Sequence, residues 1–427
     1  MSGSADGRYV LKRATVPTCL VEIGLGVDGL VQVDIVVEGG RIAAISLHDP
    51  ASPGIDLDCR MVWPCPVDLH THLDKGHIWP RAPNPDGTFM GALAAVARDR
   101  LASWSTADVR ARFEFGLRCA YAHGTRAIRT HLDSVPPQDA ISWPLFAELR
   151  ATWAGRIELQ AVSLALPEHY SGAAGRTLAQ RVAEHGGVLG MVPVPGPELD
   201  ADLDRFLALA AEHGLDVDCH IDETLDPASE SLLHLAEAML RNRFQGRAVA
   251  GHCCALSRQA PDRVRRTLDR VAEAGIAIVS LPMCNLYLQD RVAGRTPRFR
   301  GVTLAHEIKA RNISLAFASD NCRDPFYAYG DHDLLEVFRE AVRIAHLDHP
   351  FGDWPAAVTA TPAAVMGLPG GRGLTPGHDA ELIIFEGRDW SEVLSRPQSG
   401  RVVLRSGRRI DTVPPDYREL DFLRPSA

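Results

Sequence analysis

From residue 63 to about residue 320, short apolar runs alternate with longer helical patterns, and the alternation repeats eight times. The apolar runs lie at 61–67, 125–131, 157–163, 187–193, 215–220, 248–252, 276–280 and 313–320. Helical periodicity predicts helices over 88–103, 106–123, 143–153, 177–184, 200–213, 228–243 and 261–274 between them. Connections of that length bring each strand back parallel to the one before it. Eight such units predict a (β/α)8 TIM barrel. The rival arrangement is a doubly wound open sheet. No glycine-rich phosphate turn follows any of the strands, which counts against it.

Both chain ends have a different texture. Residues 31–37 and 41–45 read as a hairpin around Glu38-Gly39-Gly40. After a helical region at about 332–367, strand patterns return at 379–385 and 402–405. The two ends are therefore expected to pair into one small β-sandwich domain, 1–62 plus 370–427, with a barrel over 63–369 inserted between its halves.

Composition narrows the function classes. The chain has 427 residues, 46% hydrophobic and 23% charged, enough apolar material for a large core. A net charge of -9 argues against nucleic acid or an anionic membrane surface as partner. No apolar run approaches the roughly 18 residues of a membrane span. Met1–Arg13 is polar and carries no apolar signal segment. The nine cysteines have no CxxC spacing and read as reduced thiols, so the expected location is the cytoplasm.

In a barrel of this kind, chemistry sits at the C-terminal ends of the strands. The polar residues there are His70, His72, His131, Gln160, His220, His252 and Asp320. His70 and His72, two apart on a strand, point to the same side and can converge on one ion. A lone His-x-His is weak evidence. With His220 and Asp320 it becomes three imidazoles and a carboxylate, a set suited to one divalent ion, Zn2+ or Fe2+, with a position left for water. Such an ion makes hydroxide available near neutral pH. Hydrolysis also needs a proton carrier, and Glu223, three residues past His220, is the candidate. His252 can orient the water or polarise a developing oxyanion. Lys75 reads first as a solvated loop lysine and second as a partner for an anionic group.

The ordered set His70-Thr71-His72-Leu73-Asp74, Arg129-Thr130-His131-Leu132-Asp133, His220-Ile221-Asp222-Glu223, Gly251-His252 and Ser319-Asp320 resembles the amidohydrolase superfamily, and within it the bacterial cytosine deaminase branch. Further matches are Leu159-Gln160-Ala161-Val162, Arg291, Asp324-Pro325-Phe326-Tyr327 with Gly330, and the Gly377–Leu382 return to the terminal domain. The resemblance spans about residues 30 to 410. It implies a mononuclear centre, because Gly190-Met191-Val192-Pro193 offers no lysine where binuclear relatives carry a carboxylated one. By the same analogy His70, His72, His220 and Asp320 bind the metal. Glu223 shuttles the proton, His252 and Asp320 handle the attacking water, and Gln160 reads the amide edge of the ring. The implied reaction is hydrolytic deamination of a small nitrogen heterocycle, with hydroxide attacking an amino-bearing ring carbon and ammonia leaving. A small-molecule substrate and a homo-oligomeric assembly belong to the same expectation.

One departure matters. Cytosine deaminases carry a second acid directly after the metal-binding aspartate, and this chain has Asn321; Ser319 stands where some members have histidine. Ser319-Asp320-Asn321 also resembles the branch that hydrolyses N-alkyl aminotriazines, so cleavage of an N-alkyl or cyclic amide or amidine bond is the alternative. Asn321 and Phe326 are candidate substrate contacts beside Gln160. The loop from Lys75 to Gly87, with Trp79 and Arg81, is expected to cover the substrate.

Overall fold

The computed structural model describes residues 7–23, 26–369 and 373–424. Its N-terminal strands are β1 (Tyr9–Pro17), β2 (Leu30–Glu38), β3 (Arg41–Leu47) and β4 (Ile55–Asp56), hydrogen-bonded in the order β3-β2-β1-β4. Gly39 and Gly40 turn the hairpin at φ 58° and 81°, values a side chain would resist. Val31, Val33, Ile35 and Val37 alternate along β2 and are all buried, as a strand with one covered face requires.

The apolar run at 61–67, expected as one strand, is two. Pro64 and Pro66 each lack an N–H and cannot continue a ladder. They separate β5 (Val62–Pro64) from β6 (Val67–Thr71).

The following strands are β7 (Ala127–Asp133), β8 (Glu158–Leu164), β9 (Leu189–Met191), β10 (Val217–Ile221), β11 (Ala248–His252), β12 (Ala277–Ser280) and β13 (Leu315–Phe317). Hydrogen bonds run β6-β7-β8 and, in parallel, β9 through β13 in sequence order. Two parallel bridges, Val162 with Val188 and Thr71 with Asp320, join these arcs into a closed ring. The (β/α)8 barrel is present. Its helices include α1 (Phe89–Ser103), α2 (Thr106–His123), α3 (Asp139–Trp153), α4 (Gly172–Glu184), α5 (Leu199–Glu212), α6 (Ser231–Arg241), α7 (Pro261–Ala274) and α8 (Pro282–Leu288). In α7, Pro261 opens the first turn, Gly275 closes the helix at φ 67°, and Val264, Thr267, Leu268 and Val271 form its buried stripe. Strands β9 and β13 are shorter than the sequence pattern. Pro193 cannot extend the first, and Asp320 at φ 63° turns the chain out of the second.

Contacts group the chain into two compact units. One takes residues up to Asp68, Arg118–Ala127 and Asp333–Pro414; the other takes Leu69–Leu117, Ile128–His332 and the chain from Pro415 onward. The helix-rich stretch after Asp333 thus groups with the chain ends, whereas the sequence division placed it with the barrel up to 369. Residue 370 lies outside the described residues. In the first unit β5 joins β14 (Leu382–Ile384), β15 (Val402–Arg405) and β16 (Arg408–Arg409) in an antiparallel sheet. Bridges from Thr15 to Met61 and from Arg41 to Asp379 tie it to the N-terminal sheet. Trp63 is the anchor there, edge-on to Phe338, Phe385 and Trp390 at centroid distances of 5.3, 5.3 and 6.1 Å. Among the described residues no helix is long and apolar enough to cross a membrane.

Gly190 in β9 is a packing requirement of the barrel. A Cβ built there would press on Val162 and the Ser163 carbonyl and lie 2.7 Å from the Asp218 carbonyl oxygen. Two of these are backbone atoms with no freedom to rotate away. Gly190→Ala is expected to cost about 1–3 kcal/mol, read as a lower urea midpoint; an unchanged midpoint would contradict this packing.

Candidate active site

Every residue of the candidate centre lies in the barrel unit. His70 is the last residue but one of β6, His72 follows that strand, His220 lies near the end of β10, His252 ends β11, and Asp320 follows β13. The ends of β6 and β13 are stitched together by backbone and hydroxyl. Asp320 N donates to His70 O at 2.9 Å, His72 N to Asp320 O at 3.2 Å, and Thr71 Oγ1 to Asp320 O at 2.7 Å.

Four donor atoms then converge. His72 Nε2 is 3.3 Å from His220 Nε2 and 3.3 Å from Asp320 Oδ1, and His70 Nε2 is 3.5 Å from Asp320 Oδ1. A tetrahedral zinc with ligands at 2.0–2.1 Å sets its donors about 3.3 Å apart. Among the described residues, His70, both of whose ring nitrogens are buried, makes no hydrogen bond through them, and neither do His72 and His220 through Nδ1. Buried polar atoms left this way are costly unless something coordinates them. Burial, followed by neighbouring histidines and Lys75, holds His70, His72 and His220 well below the ordinary imidazole pKa, so each offers a neutral lone pair. The residues present fit one divalent cation. The carboxylate and three imidazoles accommodate Zn2+ and Fe2+ alike. Gly251 leaves room for the cluster: a Cβ there would meet His70 Nδ1 at 3.2 Å.

Glu223 stands beside this donor set. Asp222 fixes its place: at φ 46° it turns the chain, and its carboxylate accepts from Ser229 Oγ (2.6 Å), Ser231 N (3.0 Å) and Leu232 N (3.1 Å) at the start of α6. Asn285 Nδ2 then bridges Glu223 Oε1 at 3.2 Å and His252 Nδ1 at 3.0 Å. Burial, with the Asp320 charge adding and Lys75 opposing, raises the Glu223 carboxyl well above its usual range. Burial takes His252 down to about 3, so its ring is neutral. An Asn285 amide donating to Nδ1 leaves the proton on Nε2, which has no hydrogen-bond partner of its own among the described residues.

A second layer lies under His70. The His131 ring is 3.9 Å from it, centroid to centroid. His131 Nε2 faces Asp218 Oδ1 at 3.9 Å, and Arg129 Nη1 donates to Asp218 Oδ2 at 2.9 Å. Burial takes Asp218 up to about 7, with Arg129 opposing. Arg129 also donates twice to Gln160 Oε1, at 3.2 and 3.0 Å.

The other sequence candidates take more specific places. Asn321 has both ends of its amide engaged: Nδ2 donates to Asp324 Oδ2 at 2.7 Å and Oδ1 receives the Cys284 thiol at 3.6 Å. Phe326 is buried, with Lys75 Nζ 5.4 Å from its ring centroid. Lys75 is not a solvated loop residue. It is 5% exposed and paired with Asp133 Oδ1 at 3.4 Å, while Arg100 Nη1 holds Asp133 Oδ2 at 2.8 Å. Burial pulls the Lys75 pKa down, but Asp133, Asp74 and Asp324 outweigh it and leave it raised. The loop after Lys75 is anchored by Arg81, whose guanidinium forks onto Asp99 and Asp108. Asn285 and Asp218 were missed in the sequence, and Asp133 was read only as the end of the Arg129–Asp133 match, with no role given to it. Asp133 ends β7, where the strand-end rule that found the ligands reaches it, whereas Asn285 lies in α8, beyond the end of β12.

The amidohydrolase family model matches residues 120–411. The chain is 53% identical over 427 residues to a pterin deaminase from Rhizobium rhizogenes, covering 99% of this chain and 98% of that protein. It is 23% identical over 398 residues to the N-isopropylammelide isopropyl amidohydrolase of Pseudomonas sp., covering 88% and 93%. The fold superposes with a TM-score of 0.82 on 5-methylcytosine deaminase from Klebsiella pneumoniae liganded with 5-fluorocytosine, at 24% identity over 95% of this chain and 98% of that one.

Proposed function

This chain belongs to the amidohydrolase family, and on that footing we propose that it deaminates the amino-oxo-pyrimidine ring of a pterin-type fused heterocycle, releasing ammonia. It is a metal-dependent hydrolase of C–N bonds other than peptide bonds. The observation that carries the choice of ring is the 53% identity, spread over almost the full length of both chains, with a pterin deaminase. A pterin contains an isocytosine ring, so this reading keeps the pyrimidine chemistry expected from the sequence and adds a second, fused ring.

His70, His72, His220 and Asp320 would hold the divalent ion, Zn2+ or Fe2+. When bound, the ion supplies Lewis acidity and a water that ionises near neutral pH. The remaining work falls to side chains. Asp320 and the Nε2–H of His252 orient the attacking water toward the amino-bearing carbon. Glu223, whose carboxyl burial and the Asp320 charge raise well above its usual range, takes a proton from that water and delivers it to the amino group. The C–N bond breaks, ammonia leaves, and the ring retains the oxygen as a carbonyl while the remaining hydroxyl proton passes to the adjacent ring nitrogen. Gln160, with its oxygen held by Arg129, meets the ring carbonyl through its Nε2 donor. Phe326 packs against the ring. Asn321 holds Asp324 with one N–H of its amide and turns the other toward the substrate.

A panel of pterin, isocytosine, cytosine and an N-alkyl aminotriazine, scored for ammonia and for free amine, tests the reading. The expected result is ammonia, with kcat/KM higher for pterin than for cytosine. The reverse order would return the substrate to a single pyrimidine ring. Amine from the alkylated ring without ammonia from pterin would replace deamination by N-dealkylation.

A further inference from the structure

We propose that His77, Cys322 and His332 form a second metal site, of the zinc-thiolate type, that shares no residue with the catalytic donor set. One ligand atom from each of these residues lies within 4.8 Å of the other two, and all three residues are buried at 1–2% exposure. A tetrahedral zinc with one sulfur at about 2.3 Å and two nitrogens at about 2.0–2.1 Å needs donors about 3.3–3.6 Å apart, a spacing small side-chain rotations reach from here. His77 points to a ligand independently: its Nδ1 and Nε2 are both buried and make no hydrogen bond among the described residues. A fully buried imidazole with neither nitrogen satisfied is costly without a coordinating partner.

The backbone is arranged to bring the donors together. His77 and His332 sit at φ 66° and 54°, a conformation that residues with side chains seldom adopt. His77 N donates to Cys322 O at 2.9 Å, which sets the two loops in register. Gly116 leaves space beside His332, since a Cβ there would lie 3.1 Å from its Nε2. The Cys322 thiol now points to Gly330 O at 3.2 Å. On metal binding the S–metal bond replaces the S–H bond and the proton goes to solvent. The resulting thiolate supplies negative charge to a buried cluster whose other members are two neutral-capable imidazoles. A thiolate with two imidazoles favours zinc over magnesium or calcium, and three protein donors leave the fourth position to water. The site would clamp the loop that carries Lys75 to the loop that carries Asn321 and Phe326.

Metal analysis and cobalt spectroscopy on the full-length protein test this. Reloaded wild type is expected to bind about two equivalents and Cys322→Ser about one. The cobalt form of the wild type should show a thiolate charge-transfer band in the near ultraviolet. Cys284→Ser should keep that band, and Cys322→Ser and His77→Gln should lose it. Zinc X-ray absorption on the wild type needs no variant, and should show a sulfur neighbour at about 2.3 Å. One equivalent with only nitrogen and oxygen neighbours would overturn the proposal, as would a band that survives in Cys322→Ser or vanishes in Cys284→Ser.

Discussion

Glu223→Gln is expected to lower kcat by about 10²–10⁴-fold and to leave the metal content at the wild-type level. Glutamine has the same shape, and its carbonyl oxygen can still accept from Asn285 Nδ2, which now lies 3.2 Å from Glu223 Oε1. Gln289 Nε2 also holds the residue by its backbone carbonyl at 3.1 Å. The side chain should therefore stay in place, and only its capacity to exchange a proton is lost. Because that capacity is used in the chemical step, the loss should fall on kcat rather than on KM. Steady-state kinetics with metal analysis on the same preparation decide the matter. Full turnover at full metal content would remove Glu223 as the proton carrier.

Asp320→Asn is expected to weaken metal binding by more than about 100-fold, since changes one shell further out already cost 10–100-fold, and turnover should fall with it. The fold should survive. The contacts that stitch β6 to the chain after β13 use the Asp320 backbone, namely its N to His70 O and its O to Thr71 Oγ1 and His72 N. Asparagine also tolerates the left-handed φ of 63° better than alanine. What disappears is the negative charge facing His70 and His72 at 3.5 and 3.3 Å. Equilibrium dialysis against zinc, paired with urea unfolding, separates the two effects. A variant that keeps wild-type affinity would show that the carboxylate does not hold the metal, and one that fails to fold would show that Asp320 is structural.

The sequence exposed the parts of this site that follow from periodicity. Strands and helices alternate at fixed spacing, and active groups sit at strand ends, so His70, His72, His220, His252 and Asp320 can be placed together before any coordinates exist. Local chemistry hid other parts. Pro64 and Pro66 cut one apolar run into strands belonging to different sheets, a division that composition alone does not reveal. Lys75 looked solvated because a lysine in a glycine-bearing loop usually is. Only the fold brings Asp133, from the end of the next strand, within 3.4 Å of it. Asn285 was invisible for a similar reason: it lies 62 residues from Glu223 and 33 from His252 and matters only because it bridges them. Asn321 was read as a candidate substrate contact from its place beside Asp320; its amide also contacts Asp324 and Cys284, which the sequence did not show. Residues whose role depends on the backbone were legible, and residues whose role depends on a partner across a loop were not.

The most direct test of the account is the reaction of metal-stripped and metal-reloaded protein with pterin in 18O-labelled water. The account predicts ammonia and a ring product carrying one solvent oxygen at the carbon that bore the amino group, formed by the reloaded protein and absent from the stripped one. Equal turnover by the stripped protein, or no 18O in the product of the reloaded one, would contradict it.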